Sequence, residues 1–289
     1  MCVCVYWLEQ GWEEVMFPKT EMGCDLPAVE AGAKLPPQAR AGHNMVSMST
    51  GALTCGGYGF LQDNSKSYLA DSADRIDCWW FTPGNPPRWD NLKVSALSAG
   101  GPAPRFGHSM SFDSDYSSMV IFGGQGRQGV LLNDCWTLTS ATNRTTSANT
   151  YEYMDEYQWA SCDPASTDSL KPQARYGHQS VSFYKSLYVV GGFAQDGLRI
   201  AAKQDIWILE LGGNESWWLE LMPTTTTPEP RGFHAMWLSG FKIFLHGGQG
   251  PSGSGTAAVL GDTWQFDLFT KGGNSHMSAS HESYYMNGR

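Results

Sequence analysis

Four arginines and four histidines stand at matched positions in this chain, and they are the first residues whose types could do chemistry. They fall in the segments Arg40-Ala-Gly-His43, Arg105-Phe-Gly-His108, Arg175-Tyr-Gly-His178 and Arg231-Gly-Phe-His234. Four imidazoles invite a metal-cluster reading. Each, however, belongs to a separate repeat, and a residue type that recurs once in every repeat more often solves a packing or hydrogen-bonding problem inside it than joins its counterparts on a metal. A structural role internal to each repeat is therefore expected, and no metal site is assigned. A guanidinium is a planar fork suited to carboxylate or phosphate, so Arg40, Arg105, Arg175 and Arg231 could bind an anionic ligand. They could equally pair with Asp77, Asp134, Asp205 and Asp262, which recur with the same order. Because both partners recur, framework pairing is favoured, and the four arginines stay on the list of binding candidates.

Other motifs read more plainly. Gly124-Gln-Gly126-Arg-Gln-Gly129 and Gly248-Gln-Gly250-Pro-Ser-Gly253 fit G-x-G-x-x-G. A dinucleotide fingerprint needs a helix opening at the third glycine, whereas here another strand follows, so no nucleotide cofactor is expected. Neither G-x-S-x-G nor H-E-x-x-H occurs, which removes the common hydrolase signatures. His246 stands where the other repeats have Cys55, Phe122 and Val190 and reads as a buried strand residue. The seven cysteines, Cys2, Cys4, Cys24, Cys55, Cys78, Cys135 and Cys162, are odd in number and lack paired spacing. They read as free, mostly buried thiols rather than a disulfide framework. Sequons at Asn143 and Asn214 matter only in a secreted chain.

The elements that hold these residues are short strands. Each Arg segment leads into an apolar run that ends in a glycine pair: Gly56-Gly57, Gly123-Gly124, Gly191-Gly192 and Gly247-Gly248. The arginine-to-glycine spacing is 16, 18, 16 and 16 residues, so this part is framework. A Trp-centred strand follows at Trp79, Trp136, Trp207 and Trp264, after a connection of variable length. Three repeats then reach another tryptophan, at Trp89, Trp159 and Trp217. Runs such as Met119–Phe122 and Leu187–Val190 are β-rich and are expected to stop at the glycines. No window carries a capped 3.6-residue period, so almost no helix is expected.

Four short strands per unit, four times over, resemble the kelch repeat, whose units are four-stranded propeller blades. The resemblance spans about residues 37–268 and rests on four signals in fixed order: Arg-x-Gly-His, the glycine pair, Asp-x-Trp and a second aromatic residue. The fourth unit departs from it by reversing Gly232 and Phe233. The resemblance implies an all-β, kelch-type propeller with the first strand of each blade nearest the axis. Extra length is assigned to loops 58–75, 139–156 and 163–174. It also implies recognition through loops at the mouth of the channel, near the four arginines. Tyr58, Gln125, Arg127, Phe193 and Gln249, just beyond the glycine pairs, are the less regular candidates there. Some propellers of this group are metal-dependent oxidases or sugar-processing enzymes. A copper-radical site would need a linked Tyr–Cys pair, which sequence does not place, and the E-x-x-x-D-x-x-x-H iron motif of specifier proteins is absent. The expected role is thus a non-catalytic protein- or peptide-binding module without cofactor, with an oxidase-like or sugar-processing enzyme as the alternative. A third reading is a scaffold that associates through open blade edges.

Composition agrees with this. The 289 residues are 41% hydrophobic but only 16% charged, with a formal net charge of −9. An acidic chain without a basic run is a poor nucleic-acid binder, and no apolar stretch is long enough to span a membrane. The N-terminus lacks a basic region before its apolar run, so a cytoplasmic location is expected. Residues 1–16 read as partial blade strands, 17–36 as a loop, 37–268 as the propeller and 269–289 as a poorly ordered polar tail. The simplest closure puts residues 11–15 outside the last blade. Residues 4–8 would then compete with 263–268, which favours reading the chain as a piece of a larger adaptor or scaffold with an unclosed ring.

Overall fold

The computed structural model describes residues 2–8, 11–17, 37–48, 50–60, 66–71, 73–84, 87–92, 94–95, 98, 100–113, 118–140, 156–164, 170–211, 216–222, 226–251, 257–268 and 278–280. Strands dominate, and the only helical segment among these residues is a single 3-10 turn at Arg127–Gly129. Four antiparallel sheets of the same build follow one another. Blade 1 runs through Asn44–Met48, Gly51–Cys55, Cys78–Thr82 and Arg88–Asn91; blade 2 through Ser109–Asp113, Ser118–Gly126, Leu131–Ser140 and Tyr157–Ser161. Blade 3 uses Gln179–Phe183, Ser186–Asp196, Arg199–Glu210 and Trp217–Leu221, and blade 4 uses Ala235–Ser239, Lys242–His246, Thr263–Asp267 and Ser278–Ser280. The first strands of consecutive blades lie side by side in a propeller arrangement, whereas no comparable contact joins the first strand of blade 4 back to that of blade 1 among the described residues.

The strands form here because their two faces are both apolar. In blade 2, Met119 and Ile121 pack toward blade 1, while Val120 and Phe122 pack toward blade 3. All four are at most 2% exposed, and burying side chains of this size is worth about 2 kcal/mol each. Alternation thus serves two interfaces instead of one core and one solvent face, which is why the runs look continuously hydrophobic.

Several expectations need correction. The second strands do not all stop at the glycine pair. In blades 2 and 3 a register shift between Phe122 and Gly124, and between Val190 and Gly192, lets the chain bulge and continue pairing. The expected loop 58–75 contains a small ribbon, Tyr58–Phe60 against Lys66–Tyr68. The fourth place in blade 4 is taken by Ser278–Ser280, from the expected tail, and not by residues 11–15. Those residues pair with Cys2–Leu8 in a separate hairpin, Gly11–Phe17. Of the expected loop 17–36, Phe17 instead ends this hairpin, and residues 18–36 lie outside the described residues.

The cysteine reading also fails. Cys55 is bonded to Cys78, and Cys135 to Cys162. Cys55 and Cys78 face each other in register on the second and third strands of blade 1; Cys135 sits on the third strand of blade 2, and Cys162 just follows the fourth. Sequence separations of 23 and 27 are set by loop length, so no recurrent spacing announces the pairs.

Candidate functional site

Each Arg-x-Gly-His segment enters its blade at the centre of the array, and its arginine turns inward. Arg105 reaches Asp134 through two bonds of 2.6 and 2.8 Å, gives a third to Gly123 O at 3.0 Å, and a fourth, from Nε, to Ala103 O at 2.9 Å. Arg175 repeats this with Asp205, Gly191 and Gln173, and Arg231 with Asp262, Gly247 and Glu229. Arg40 meets Asp77 at 2.7 Å and Gly56 O at 3.1 Å. The same aspartates accept from the strand-three indoles Trp79, Trp136, Trp207 and Trp264. Arg105, Arg175 and Arg231 are no more than 1% exposed. The four arginines are therefore framework inside the blades and do not present cations at the surface. The arginine hydrogen bonds and charge hold Asp134 and Asp205 below the ordinary carboxylate range against the opposing effect of burial. Asp262 lies at about 2, chiefly through its bond from Arg231.

The histidines act at the joints between blades as well as inside their own. His178 places Nε2 3.1 Å from Phe122 O of the preceding blade. Its ring also lies over Gly123, where an added Cβ would come within 2.9 Å of His178 Cε1. The second glycine backs onto the histidine of its own blade: a Cβ on Gly192 would meet His178 Cβ at 2.7 Å. In blades 1 to 3 one histidine presses on each member of the glycine pair, and both glycines also adopt positive φ, which is why glycine is needed at both places. Burial holds these imidazoles neutral, with the nearby arginines acting in the same direction: His108 titrates at about 3, His234 at about 4, and His178 well below its ordinary value. His246, expected to be buried, is instead exposed and bonded to Thr263 Oγ1 at 2.8 Å, because no described blade covers that side of blade 4.

With the arginines withdrawn, the mouth is lined by rings. A chain of backbone bonds links the blades there, from Gly107 N–H to Gly42 O, Gly177 N–H to Gly107 O and Phe233 N–H to Gly177 O. The residues just beyond the glycine pairs pair with the second residue of each Arg-x-Gly-His segment. Tyr58 thus opposes Ala41, Gln125 opposes Phe106, Phe193 opposes Tyr176 and Gln249 opposes Gly232. The structure therefore brings these four expected candidates into equivalent places. Tyr58 meets Phe106 edge-on at 5.0 Å, Phe106 meets Tyr176 at 6.3 Å, and Tyr176 meets Phe193 at 5.5 Å and Phe233 at 5.8 Å. Phe233 is 52% exposed at positive φ. Burial raises the Tyr176 phenol above its ordinary value, so this hydroxyl stays protonated. Arg127 stands apart on the rim in an exposed, two-bond pair with Asp74. Phe106, Tyr176 and Phe233 were not singled out from sequence, although their signal lies in the motif itself: an aromatic residue stands beside the glycine in three of four repeats.

Among the described residues no group of three or more His, Cys, Asp or Glu side chains is arranged to hold a metal, and no helix is long and apolar enough to cross a membrane.

Comparison with known proteins places these features. The KLHDC2/KLHL20/DRC7 Kelch-repeats domain model matches residues 42–272. The chain is 31% identical to the F-box/kelch-repeat protein At1g51550 of Arabidopsis thaliana over 59% of its own length and 32% of that protein. It is 33% identical to Adagio-like protein 3 of Oryza sativa subsp. japonica over 58% of its length and 23% of that protein. It is 24% identical to the Rab9 effector protein with kelch motifs of Rattus norvegicus over 57% and 54%. The chain thus spans about a quarter to a half of these relatives. Among solved structures, YjhT superposes with a TM-score of 0.57 at 15% identity, covering 85% of this chain and 70% of that one, a likeness of fold alone.

Proposed function

This chain belongs to the kelch-repeat family, and from that premise we propose that it is a non-catalytic module that captures a peptide segment of another protein at the aromatic mouth of its propeller. The observation that carries the reading is the continuous band of rings from Tyr58 to Phe233, at a place where every recurring arginine is neutralised within its own blade. Aromatic rings supply large contact area at low entropic cost and are favoured as binding hot spots. Gln125, partly buried, and Gln249, exposed, flank the band and can bond to an extended backbone. A mouth without unpaired recurring cations fits an uncharged or apolar segment better than an acidic one. One relative is named as an effector of Rab9 and another joins an F-box to kelch repeats, which makes a protein the expected class of partner. The two disulfides pull against a cytoplasmic location, since such bonds persist mainly in oxidising compartments.

Panning a random peptide library on the immobilised chain tests the proposal. Selected peptides should lose at least tenfold in affinity to the Phe193→Ser/Phe233→Ser variant while the far-ultraviolet spectrum stays unchanged. Equal affinity for both proteins would remove the mouth as the site.

A further inference from the structure

Beyond its glycine pair, blade 3 carries the longest strand pair among the described residues. The second and third strands stay paired through Phe193 with Ala202, Ala194 with Ala201, Gln195 with Ile200 and Asp196 with Arg199, and the chain turns at Gly197-Leu198. In blade 2 only Gln125 and Leu131 pair beyond Gly124. At about 3.4 Å per residue the blade 3 turn stands roughly 14 Å above its glycines. Residues that oppose each other in a ladder share one side of it. Phe193, Ala202, Gln195 and Ile200 thus lie on one side of the hairpin, and Ala194, Ala201, Asp196 and Arg199 on the other. Phe193 meets Tyr176 at 5.5 Å and Phe233 at 5.6 Å, so the first side continues the ring-lined mouth. Ile200 on that side is 46% exposed, and Leu198 in the turn is fully exposed.

The outer edge of this hairpin has no strand beside it among the described residues. The fourth strand of the blade pairs with the third only from Ile206 onward, and Lys203 O accepts from Arg231 N–H at 2.9 Å. Above Lys203, residues Arg199–Ala202 pair with the second strand alone. In an antiparallel ladder alternate residues turn their backbone groups away from the partner strand, so this row offers N–H and C=O groups outward, ready to pair with another strand. Blades 2 and 4 stand on either side of it. The side turned away from the rings is positively charged. Arg199 and Lys203 flank Ala201 there, and neither forms an ion pair among the described residues; Asp196, across the hairpin from Arg199, does not close one with it.

We infer that the peptide captured at the mouth adds to the Arg199–Ala202 edge as an extended strand, and that its core is an acidic residue between two apolar ones. This rests on the peptide-capture reading above and gives it a backbone conformation and a sequence period. Main-chain bonds to a sheet edge hold an added strand whatever its sequence, and its alternate side chains supply the specificity. Side chains placed beside Ile200 and Ala202 fall on the ring side, where apolar groups cover Ile200 and extend the surface begun by Phe193. The side chain placed beside Ala201 falls on the opposite side, between Arg199 and Lys203, where one carboxylate answers both cations. The rings themselves therefore meet only the apolar residues of the strand.

Fluorescence polarisation of the labelled peptide Ser-Val-Asp-Val-Asp-Val-Ser on the full chain tests this. Wild type should bind it at least tenfold more tightly than Ser-Val-Lys-Val-Lys-Val-Ser, and Arg199→Glu, a change at an exposed residue, should reverse that order. Ile200→Lys should weaken binding of the aspartate peptide at least tenfold with an unchanged far-ultraviolet spectrum. Methylating the three valine amide nitrogens in one peptide, and the two aspartate amide nitrogens in another, reads out strand addition itself. One pattern should abolish binding and the other should leave it within threefold, because only alternate amides face the edge. No binding of the aspartate peptide, an unreversed preference in Arg199→Glu, unchanged affinity in Ile200→Lys, or equal effects of the two methylation patterns would each overturn the inference. Panned peptides that still depend on Phe193 and Phe233 would then leave the mouth standing as the site, whereas loss of that dependence would remove both readings.

Discussion

Acidification should unfold this protein through its buried histidines, and the size of the effect can be worked from the blade joints. His108 and His178 are wholly enclosed and His234 nearly so, and burial beside an arginine lowers all three below the ordinary 6.5, to about 3 for His108 and about 4 for His234. The unfolded chain therefore takes up protons near pH 6.5 that the folded chain refuses. A folded-state pKa that is depressed gives stability that is fully present above the unfolded value and is lost as pH falls toward the folded one. Between pH 7.5 and 5.0 each such histidine costs about 2 kcal/mol, from roughly 1.4 kcal/mol per pH unit below 6.5. Three together remove about 6 kcal/mol, comparable with the whole stability of many domains. The lowered aspartates add nothing in this window, because their unfolded counterparts titrate near 3.8. Urea unfolding followed by tryptophan fluorescence at pH 7.5, 6.0 and 5.0 measures the loss. His178→Gln removes one titrating group and should make the loss about one third smaller, whatever its effect at neutral pH. A fall of less than about 2 kcal/mol between pH 7.5 and 5.0, or the same fall in His178→Gln as in wild type, would refute the assignment of neutral histidines to the joints.

Other expectations follow from the same geometry. Arg175→Lys should cost about 3–5 kcal/mol in urea unfolding, because Asp205 loses a two-bond partner inside the blade. Arg127→Lys, at an exposed pair, should cost well under about 1 kcal/mol. Gly191→Ala should lose clearly more stability than Gly197→Ala. Both have positive φ, but only the first would drive a Cβ to 2.6 Å from Arg231 O; equal losses would show that the blade joint is looser than described. Denatured without reductant, the protein should show no more than three free thiols of its seven cysteines, and seven after reduction; seven in both conditions would mean that the paired cysteines are not bonded.

How far the sequence could be read depended on whether a residue's partner recurred with it. Arg175 and Asp205 repeat together in every blade, so their pairing was visible before any coordinates. The glycine pairs and histidines were visible as a repeat but not as a joint, because His178 acts on Gly123 of the preceding blade, 55 residues earlier. Cys135 and Cys162 gave no spacing signal, since the loop between them sets their distance in the chain. His246 was expected to be buried by analogy with Phe122, yet the face it occupies lacks a described neighbour, a fact of the array and not of the strand. At the mouth, Tyr58 and Phe193 were legible from their place after the glycines. Phe233 was masked by the reversal with Gly232, which moves an aromatic ring onto a positive-φ position and out toward solvent.

The central claim, that partners are held by the ring-lined mouth, is tested most directly by placing a photo-crosslinking phenylalanine analogue at position 233 and, in a second protein, at the exposed Leu219 on an outer strand. Irradiated with a peptide selected on wild type, the first protein should yield a covalent adduct and the second none. Adducts from position 219 alone would contradict the account.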